Sequence, residues 1–374
     1  MVIGFPKENA DETRVALLPE QVTRILKLPG AEVAVEKNFA AALGIPDEAY
    51  EKAGAKVLSR KEILAQDLVI RVSPPEAKDI AGLKSGAFHL SFLDPFRNPK
   101  TAESLAKTGV RAASIEMIPR STRAQRMDVL SSQASLAGYV AVIVASEQID
   151  RIFPMMMTPA GTIPPSKVLV IGAGVAGLQA IATARRLGAK VEAFDTRPVV
   201  KEQVQSLGAK FVEIDLGEIG QTEGGYAKAL TEEQLAKQKA GLAKVIAGSE
   251  VVITTAQVFG KAAPRIVTAE MVAAMKSGAV LVDLAVETGG NVEGSVPGEI
   301  TLTDNNVKII GLRNLPGRVA RHSSLMLGGN FTAFLEEFWN KEQKAFAPKA
   351  GDDIIAACLV AENGALVHPA LLKK

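Results

Sequence analysis

Cysteine is nearly absent from this sequence, and so is any excess of charge of one sign. Cys358 is the only cysteine among 374 residues, which excludes a disulfide within the chain and argues against a thiolate metal site. Lys and Arg number 43 against 41 Asp and Glu, and the two signs are interspersed, so no basic surface for nucleic acid or anionic lipid stands out. We therefore expect a small-molecule or protein partner and a reducing cytoplasm.

Secretory and membrane-spanning segments are not expected either. The chain opens on a strand-like segment, residues 1–5, rather than on a basic flank and an apolar run of the secretory type. Residues 168–184 are apolar enough to suggest a span, but they hold glycines and a glutamine in a strand-then-helix pattern. The sequence thus predicts a chain without a span of its own.

Short β-branched runs alternate with amphipathic stretches along most of the chain, the pattern of βα units in a parallel sheet. The length predicts two domains, and 47% hydrophobic residues can build two aliphatic cores. Strands are predicted first at residues 2–5, 32–36, 67–72, 87–92 and 110–118, and then at 168–171, 190–194, 210–214, 250–255, 280–285 and 307–311.

Long helices are predicted at residues 128–149 and 323–341, with a turn-rich linker at 159–167 and a final hairpin over residues 353–367, turning at 362–364. We assign the tail to the first domain because its apolar surface needs a core to pack against. The expected fold is α/β, with two Rossmann-like parallel-sheet domains joined by long helices, an arrangement like that of formate/glycerate dehydrogenases. Residues 1–127 and 320–374 form the first domain, and 128–319 form the dinucleotide-binding domain.

A glycine-rich turn marks the start of the second domain. The predicted strand 168–171 runs into G-x-G-x-x-G and then into a helix, the context that a dinucleotide-binding turn requires. The first glycine permits the tight turn, the second lets a diphosphate approach the backbone, and the third allows close helix packing. The helix N-terminus then attracts the phosphates. The candidate cofactor-binding residues here are Gly172, Ala173, Gly174, Val175, Ala176 and Gly177.

An acidic residue follows the next predicted strand. Asp195 can accept hydrogen bonds from the adenosine ribose hydroxyls and would repel a 2′-phosphate, which favours NAD(H) over NADP(H). Thr196 and Arg197 adjoin it, and Arg197 can soften that preference. The sequence therefore predicts NAD(H) as the cofactor.

A second group of polar residues lies before the helix predicted at 128–149. Arg120 has a guanidinium fork that can meet Asp128 bidentately, and Asp128 lies three residues before Ser131. Such groups can orient a carboxamide. The same residues also fit a simpler interpretation, in which Asp128 only caps the following helix.

Several segments resemble the NAD(H)-binding component, domain I, of proton-translocating transhydrogenases, in the superfamily of alanine dehydrogenase. They are residues 117–139, 153–158, 161–162, 172–184 and 282–291, and the likeness begins at 5–8 and closes at 364–370. The resemblance implies that Arg120, Gln125 and Asp128, with Ser131 beside them, contact the nicotinamide end of the nucleotide. It implies a Re/Si-specific transhydrogenase, active only with membrane-embedded and NADP(H)-binding partner subunits, peripheral on the inner face of the cytoplasmic membrane and homodimeric.

The resemblance also adds pocket residues. A loop with Gly225 and Tyr226 is expected to close over the nucleotide, and Ala256 and Gln257 to line the pocket. The chain departs from the family pattern at Gln257, Val258 and Phe259, and Arg126 stands where a small polar residue is usual, so contacts near 257–259 stay open.

Two other functions remain as alternatives. An alanine dehydrogenase would share the two-domain architecture, but its histidine and aspartate contexts differ from those of His89 and Glu287 here. A non-catalytic NAD(H) sensor would bind the nucleotide without presenting it to a partner. For Asp283 and Glu287, capping or salt bridging is as compatible with the sequence as cofactor binding. No metal is expected, because the three histidines have no ligand-like spacing.

Overall fold

The computed structural model describes residues 1–217, 230–349 and 351–372. The chain forms two compact units: unit 1 contains residues 1–133 and 317–374, and unit 2 contains residues 134–316. The sequence had suggested boundaries after residue 127 and before residue 320. The first of the observed boundaries falls inside a long helix.

The N-terminal third of the chain alternates short strands with short helices. The strands are β1 (Val2–Phe5), β2 (Glu32–Glu36), β3 (Lys56–Leu58), β4 (Leu68–Ile70), β5 (Phe88–Ser91) and β6 (Arg111–Ser114). The helices are α1 (Pro19–Ile25), α2 (Asp47–Lys52), α3 (Arg60–Leu64), α4 (Ala77–Ile80), α5 (Pro99–Lys107) and the long α6 (Val129–Gln148). Local signals start several of them: proline lies in the first turn of α1 and α5, and Ser59 and Glu62 form a capping box on α3.

The middle of the chain begins with a hairpin and continues as a second alternation. Its strands are β7 (Met156–Thr158), β8 (Gly161–Ile163), β9 (Lys167–Ile171), β10 (Lys190–Phe194), β11 (Lys210–Phe211), β12 (Val251–Thr254), β13 (Val280–Asp283), β14 (Ile300–Leu302) and β15 (Lys308–Ile310). Its helices are α7 (Val175–Arg186), α8 (Lys201–Ser206), α9 (Glu232–Ala247) and α10 (Ala269–Ala273).

The C-terminal segment of the chain returns to unit 1. It consists of α11 (Ala320–Phe338), β16 (Trp339–Asn340), β17 (Ala345–Phe346), α12 (Asp353–Cys358), β18 (Leu359–Glu362), β19 (Ala365–Leu366) and α13 (Pro369–Leu372). In α11, Phe334 and Phe338 pack edge-on against each other, and Phe346 packs against Phe88 of β5. β18 pairs antiparallel with β6, so the tail belongs to the first sheet, as expected.

The two large sheets share one strand order. In unit 1 the order is β3-β2-β1-β4-β5-β6-β18-β19, and β1 to β6 are mutually parallel. In unit 2 it is β11-β10-β9-β12-β13-β15-β14, with only the edge strand β14 antiparallel. The six mutually parallel strands of each sheet therefore have the 3-2-1-4-5-6 order of a dinucleotide-binding fold, which confirms the predicted α/β class.

Three local predictions are wrong, and two strands were missed. The segment 159–167, predicted as a linker, contains β8 of the exposed hairpin β7–β8, and 353–358 form α12, whose first N–H groups are capped by Asp352. The strands β3 and β14 were missed because each has three residues and none of them is buried. The strand predicted at 110–118 ends at Ser114, and a 3-10 turn follows.

One helix of the described residues, α6, is long and apolar enough to cross a membrane by length and composition alone. Core helices pass the same test. α6 buries Val140, Ala141 and Val144, and a Cβ added to its Gly138 would lie 2.1 Å from the carbonyl oxygen of Ala176 in α7. Residues 168–184, which the sequence predicts not to span a membrane, form most of β9 and most of α7.

Candidate functional site

The turn between β9 and α7 needs its three glycines for different steric reasons. Gly172 has φ of 99°, and a Cβ there would lie 2.5 Å from Oγ1 of Thr255. A Cβ on Gly177 would lie 1.8 Å from the carbonyl oxygen of Gly172. A Cβ on Gly174 would meet nothing within 4 Å. The backbone at Gly174 is therefore open to a ligand, whereas Gly172 and Gly177 are closed by the protein itself.

The first turn of α7 borders the same open space. Gly174 is the N-cap and has no side chain to accept a hydrogen bond, so the N–H groups of Val175, Ala176 and Gly177 have no acceptor within the helix. The side chain of Val175 is 41% exposed, and Ala173 is buried. A helix of 12 residues that begins in this way attracts an anion at its N-terminus.

Asp195 follows β10 and faces the glycine turn. Its Oδ2 accepts a hydrogen bond from the backbone N–H of Ala173 at 2.8 Å. Arg197 donates to the same carboxylate from its backbone N–H at 2.8 Å, from Nε at 2.9 Å and from Nη2 at 2.8 Å. These bonds raise the pKa of the Arg197 guanidinium and keep the ion pair largely buried. Thr196 lies between the two and is partly exposed.

The segment after β12 forms the neighbouring wall of unit 2. Oγ1 of Thr255 donates to the carbonyl oxygens of Ile171 and Gly172, at 3.3 and 3.1 Å. Ala256 follows, and the exposed Gln257 donates from Nε2 to the carbonyl oxygen of Leu284 at 2.9 Å. Of the two residues that depart from the family pattern next, Val258 is partly exposed and the Phe259 side chain is 40% exposed.

Two fully buried polar residues, Asp283 and Asn291, stand behind that wall. The sequence left Asp283 open between capping and cofactor binding, and the structure places it at 0% exposure with its carboxylate accepting backbone N–H groups. The sequence alone does not identify Asn291 as a site residue. Glu287 is exposed and accepts the backbone N–H of Asn314 at 3.3 Å. The signal that could have identified Asn291 is its position just after Gly289-Gly290, both in the left-handed region.

In unit 1, the carboxylate of Asp128 caps α6. Oδ1 accepts the backbone N–H of Ser131 at 2.8 Å, and Oδ2 accepts the Ser131 hydroxyl at 2.6 Å. Both bonds agree with the simpler interpretation from the sequence, in which Asp128 caps the helix that follows it. Nε of Arg120 lies 3.9 Å from Oδ2 of Asp128, longer than the bidentate pair that the sequence predicted. Because its backbone N–H and its hydroxyl both donate to one carboxylate, Ser131 is held in one orientation.

The segment around Gln125 is fixed to unit 1 on both sides. Arg123 forms ion pairs with Glu337, Asp352 and Asp353, and the carbonyl oxygen of Arg126 accepts Nδ2 of Asn330 at 2.8 Å. Arg126 also pairs with Glu336 at 3.0 Å. Ala124 and Met127 are buried, whereas Gln125, in the 3-10 turn Gln125–Met127, is exposed. A rigid turn therefore presents the Gln125 side chain to solvent.

His89 has the properties of a structural residue. It is 1% exposed on β5, and its Nε2 lies 3.0 Å from Oγ of Ser91. Burial, with nearby Arg71, lowers its pKa to about 3, so the ring stays neutral at physiological pH.

Within the described ranges no group of three or more His, Cys, Asp or Glu residues could hold a metal ion. Gly225 and Tyr226 lie outside the described residues.

Comparison with known proteins gives the family. Residues 4–137 match the profile of the alanine dehydrogenase/PNT N-terminal domain, and residues 141–369 match that of the C-terminal domain. An NAD(P) transhydrogenase alpha subunit of Rhodospirillum rubrum is 45% identical over 381 residues, which cover 99% of both chains. The structure of a transhydrogenase from Sinorhizobium meliloti superposes with a TM-score of 0.86 at 43% identity, covering 99% of this chain and 100% of that one.

A more distant match is the structure of an L-alanine dehydrogenase, with a TM-score of 0.82, 26% identity, and coverage of 99% of this chain and 98% of that one. The fold is thus shared with transhydrogenases and with alanine dehydrogenases. Sequence identity separates the two, at 43–45% for the transhydrogenases and 26% for the alanine dehydrogenase. The chain therefore belongs to the alanine dehydrogenase/PNT family, and within it to the family of NAD(P) transhydrogenase alpha subunits.

Proposed function

We propose that this chain is the NAD(H)-binding subunit of a Re/Si-specific, proton-translocating transhydrogenase, and that it transfers hydride between NADH and an NADP⁺ held by a partner subunit. The observation that carries the proposal is the open backbone at Gly174, beside the N-terminus of α7 and the carboxylate of Asp195, in a chain 45% identical to a transhydrogenase alpha subunit. A Cβ at Gly174 would touch no protein atom within 4 Å, so the space beside this backbone is free to take a ligand.

Unit 2 has the groups that NAD(H) needs. The N–H groups of Val175, Ala176 and Gly177 bind the diphosphate beside the open backbone of Gly174. Gly172 and Ala173 shape the turn, and their N–H groups donate to the carbonyl oxygen of Phe194 and to Asp195. Asp195 accepts the adenosine ribose hydroxyls, with Thr196 and Arg197 beside it. Its negative charge favours NAD(H) over a nucleotide with a 2′-phosphate. Further cofactor-binding residues in the proposal are Ala256, Gln257, Gly225 and Tyr226.

On unit 1, we assign Arg120, Asp128 and Ser131 to orienting the carboxamide of the nicotinamide, and exposed Gln125 to facing the partner's NADP(H). When bound, NADH supplies the hydride from its C4 carbon. The protein needs no acid or base for this step; it needs to hold the two C4 atoms within about 3.5 Å and exclude water. The ion pairs of Arg123 and the capping bonds of Asp128 supply the rigidity that such positioning requires.

Partner subunits follow from this role. Proton translocation requires membrane-embedded polypeptides, and the NADP(H) site requires another, so the chain is proposed to act peripherally on the inner face of the cytoplasmic membrane.

We also propose a homodimer. Unit 2 exposes an apolar patch on and next to β7–β8, with Met155, Met157 and Ile163 at 60%, 74% and 47% exposure. A second copy would remove this surface from water.

The decisive experiment has two stages. The purified chain is titrated with NADH and with NADPH, and hydride transfer is then assayed after adding the NADP(H)-binding and membrane components. We expect tighter binding of NADH, and transfer only with the partners present. Gln125→Ala should slow transfer without weakening NADH binding, whereas Gln343→Ala, at another exposed glutamine of unit 1, should change neither. Unchanged transfer in Gln125→Ala would show that the assigned role of Gln125 is wrong.

Two other outcomes correspond to the alternatives. Amino-acid oxidation by the isolated chain would favour an alanine dehydrogenase. The structural similarity to an L-alanine dehydrogenase, with a TM-score of 0.82, supports this alternative. The burial of His89 and its pKa of about 3 speak against this, because a general acid or base must exchange protons with a substrate. NADH binding without transfer in the complete mixture would identify a nucleotide sensor.

A further inference from the structure

We propose that Asn291 is a positioning residue for the nucleotide site of unit 2, which it serves by fixing the backbone of Ala256 against the glycine turn. The inference rests on the proposed NAD(H) binding by this unit and deepens it. Asn291 would not touch the nucleotide. It would act through the Ala256 backbone, and its loss should therefore affect nucleotide affinity more than a comparable loss elsewhere in the unit.

The side-chain amide of Asn291 holds one residue from both sides. Its Oδ1 accepts the backbone N–H of Ala256 at 3.0 Å, and its Nδ2 donates to the carbonyl oxygen of Ala256 at 2.8 Å. Nδ2 also donates to the carbonyl oxygen of Pro264 at 2.8 Å. Bonds to both the N–H and the C=O of one residue fix the two peptide planes that flank it. A side chain with a donor and an acceptor is needed for this, which an amide supplies and a carboxylate does not.

Asn291 is itself held by a buried carboxylate. Oδ2 of Asp283, at the end of β13, accepts the backbone N–H groups of Asn291 and Val292 at 2.9 and 3.1 Å. Its Oδ1 accepts the backbone N–H of Ala285 at 2.9 Å and the hydroxyl of Thr254 at 3.2 Å. Asp283, Asn291 and Thr254 are all 0% exposed. Asp283 therefore fixes the backbone of Asn291, and the position of its side-chain amide does not depend on a ligand.

The segment that Asn291 holds is in contact with the glycine turn. Thr255, which precedes Ala256, donates its hydroxyl to the carbonyl oxygen of Gly172 at 3.1 Å. A Cβ on Gly172 would lie 3.4 Å from the backbone nitrogen of Ala256. β9 and β12, whose ends carry these two segments, are the neighbours at which the strand order of the sheet reverses. Ligands of open α/β sheets bind at that reversal, so a shift of Ala256 displaces the wall of the nucleotide crevice.

The test compares two amide deletions in the full chain. Asn291→Ala removes three hydrogen bonds to backbone groups. Asn305→Ala is the control in the same unit, because Nδ2 of Asn305 also donates to backbone groups, the carbonyl oxygens of Val272, Ala273 and Met275, and its Oδ1 accepts the hydroxyl of Thr303 at 2.6 Å. For each variant, Tm is measured alone and with saturating NADH, and the Kd for NADH is measured well below Tm. Both variants should lose stability.

We expect the Kd for NADH to rise about tenfold in Asn291→Ala, the equivalent of one lost hydrogen bond to the nucleotide or slightly more, and to stay within about twofold in Asn305→Ala. An unchanged Kd for NADH in Asn291→Ala, whatever its loss of Tm, would overturn the proposal and leave Asn291 a purely structural residue. Wild-type chain that fails to bind NADH would instead contradict the proposed function, so the two failures are distinguishable.

A second variant covers the case in which Asn291→Ala does not fold. Thr255→Val keeps the side-chain shape and the Asn291 network but removes the hydroxyl bond to the glycine turn. It should raise the Kd for NADH several-fold with little change in Tm. If Asn291→Ala is insoluble and Thr255→Val binds NADH like the wild type, the link between this segment and nucleotide affinity does not exist.

Discussion

Replacing Gly174 with alanine separates nucleotide binding from stability. Gly174 has φ of −81°, which any L residue adopts, and the added methyl meets no atom within 4 Å. Alanine is a poorer N-cap than glycine, but it also reduces the entropy of the unfolded chain, and each effect is below about 1 kcal/mol. The free energy of unfolding should therefore change by less than about 1 kcal/mol.

The affinity for NADH should fall much further in this variant. The methyl takes the place where a diphosphate would approach the backbone, and each hydrogen bond to a charged group contributes about 1.5–3 kcal/mol. Loss of one such bond corresponds to a rise in Kd of roughly 10- to 100-fold. Isothermal titration with NADH measures the change, and thermal unfolding of the same preparation measures stability.

Gly177→Ala gives the contrasting case. Its Cβ would lie 1.8 Å from the carbonyl oxygen of Gly172, where real Cβ atoms stay beyond 3.0 Å, so the turn or α7 must shift. Overpacking of this kind costs about 1–3 kcal/mol. Stability and affinity should then fall together. A wild-type Kd in Gly174→Ala would refute the reasoning, because the open space would not be where the nucleotide lies.

Four further substitutions test other regions of the site and fold. Asp195→Asn should weaken NADH binding about tenfold and reduce the preference of the chain for NADH over NADPH. Parallel titrations with the two nucleotides measure both effects, and an unchanged ratio of the two Kd values would contradict the role of Asp195 in recognising the adenosine ribose. Asp128→Ala should cost about 1 kcal/mol as a lost helix cap and slow hydride transfer. Ser131→Ala should also slow transfer but lower the Tm less, since it removes the hydroxyl bond to Asp128 and keeps the cap bond from its backbone N–H. Burial raises the pKa of Glu116 from 4.5 to about 7, so the folded state binds this proton more tightly and loses stability as the pH rises from 4.5 through 7. Glu116→Gln should thus raise the free energy of unfolding by about 3 kcal/mol at pH 8 and change it little at pH 4.5, as urea unfolding at both values would show.

The central strands were predictable because their residues bury side chains on both faces. β1, β2 and β10 have the bounds predicted from sequence, and β9, β12 and β13 differ by one or two residues. Continuous apolar runs ending in glycine or aspartate locate such strands. β14 has no such run, since Ile300 and Leu302 are exposed on an edge strand held only by antiparallel pairing with β15.

The glycine turn and Asp195 were predictable because their chemistry lies in a short, ordered motif. The Asn291 network was not, since Asn291 and Ala256 are 35 residues apart and meet only after two strands have paired. The sequence also did not give the Arg120–Asp128 distance. Residue types show that a carboxylate and a guanidinium can pair, but the path of the loop decides that Nε of Arg120 lies 3.9 Å from Oδ2 of Asp128, whereas the Ser131 hydroxyl lies 2.6 Å from it.

The pairing of β18 with β6 has a consequence for synthesis on the ribosome. The sheet of unit 1 needs residues 359–362, whereas unit 2 is continuous from 134 to 316. Unit 2 can therefore reach its native structure while the N-terminal sheet still has β6 as an unpaired edge, and that edge stays exposed to misassociation until residues 359–362 have been synthesised. A nascent chain stalled near residue 350 should bind chaperones through its first 130 or so residues, and extension of the chain beyond β19 should end that binding.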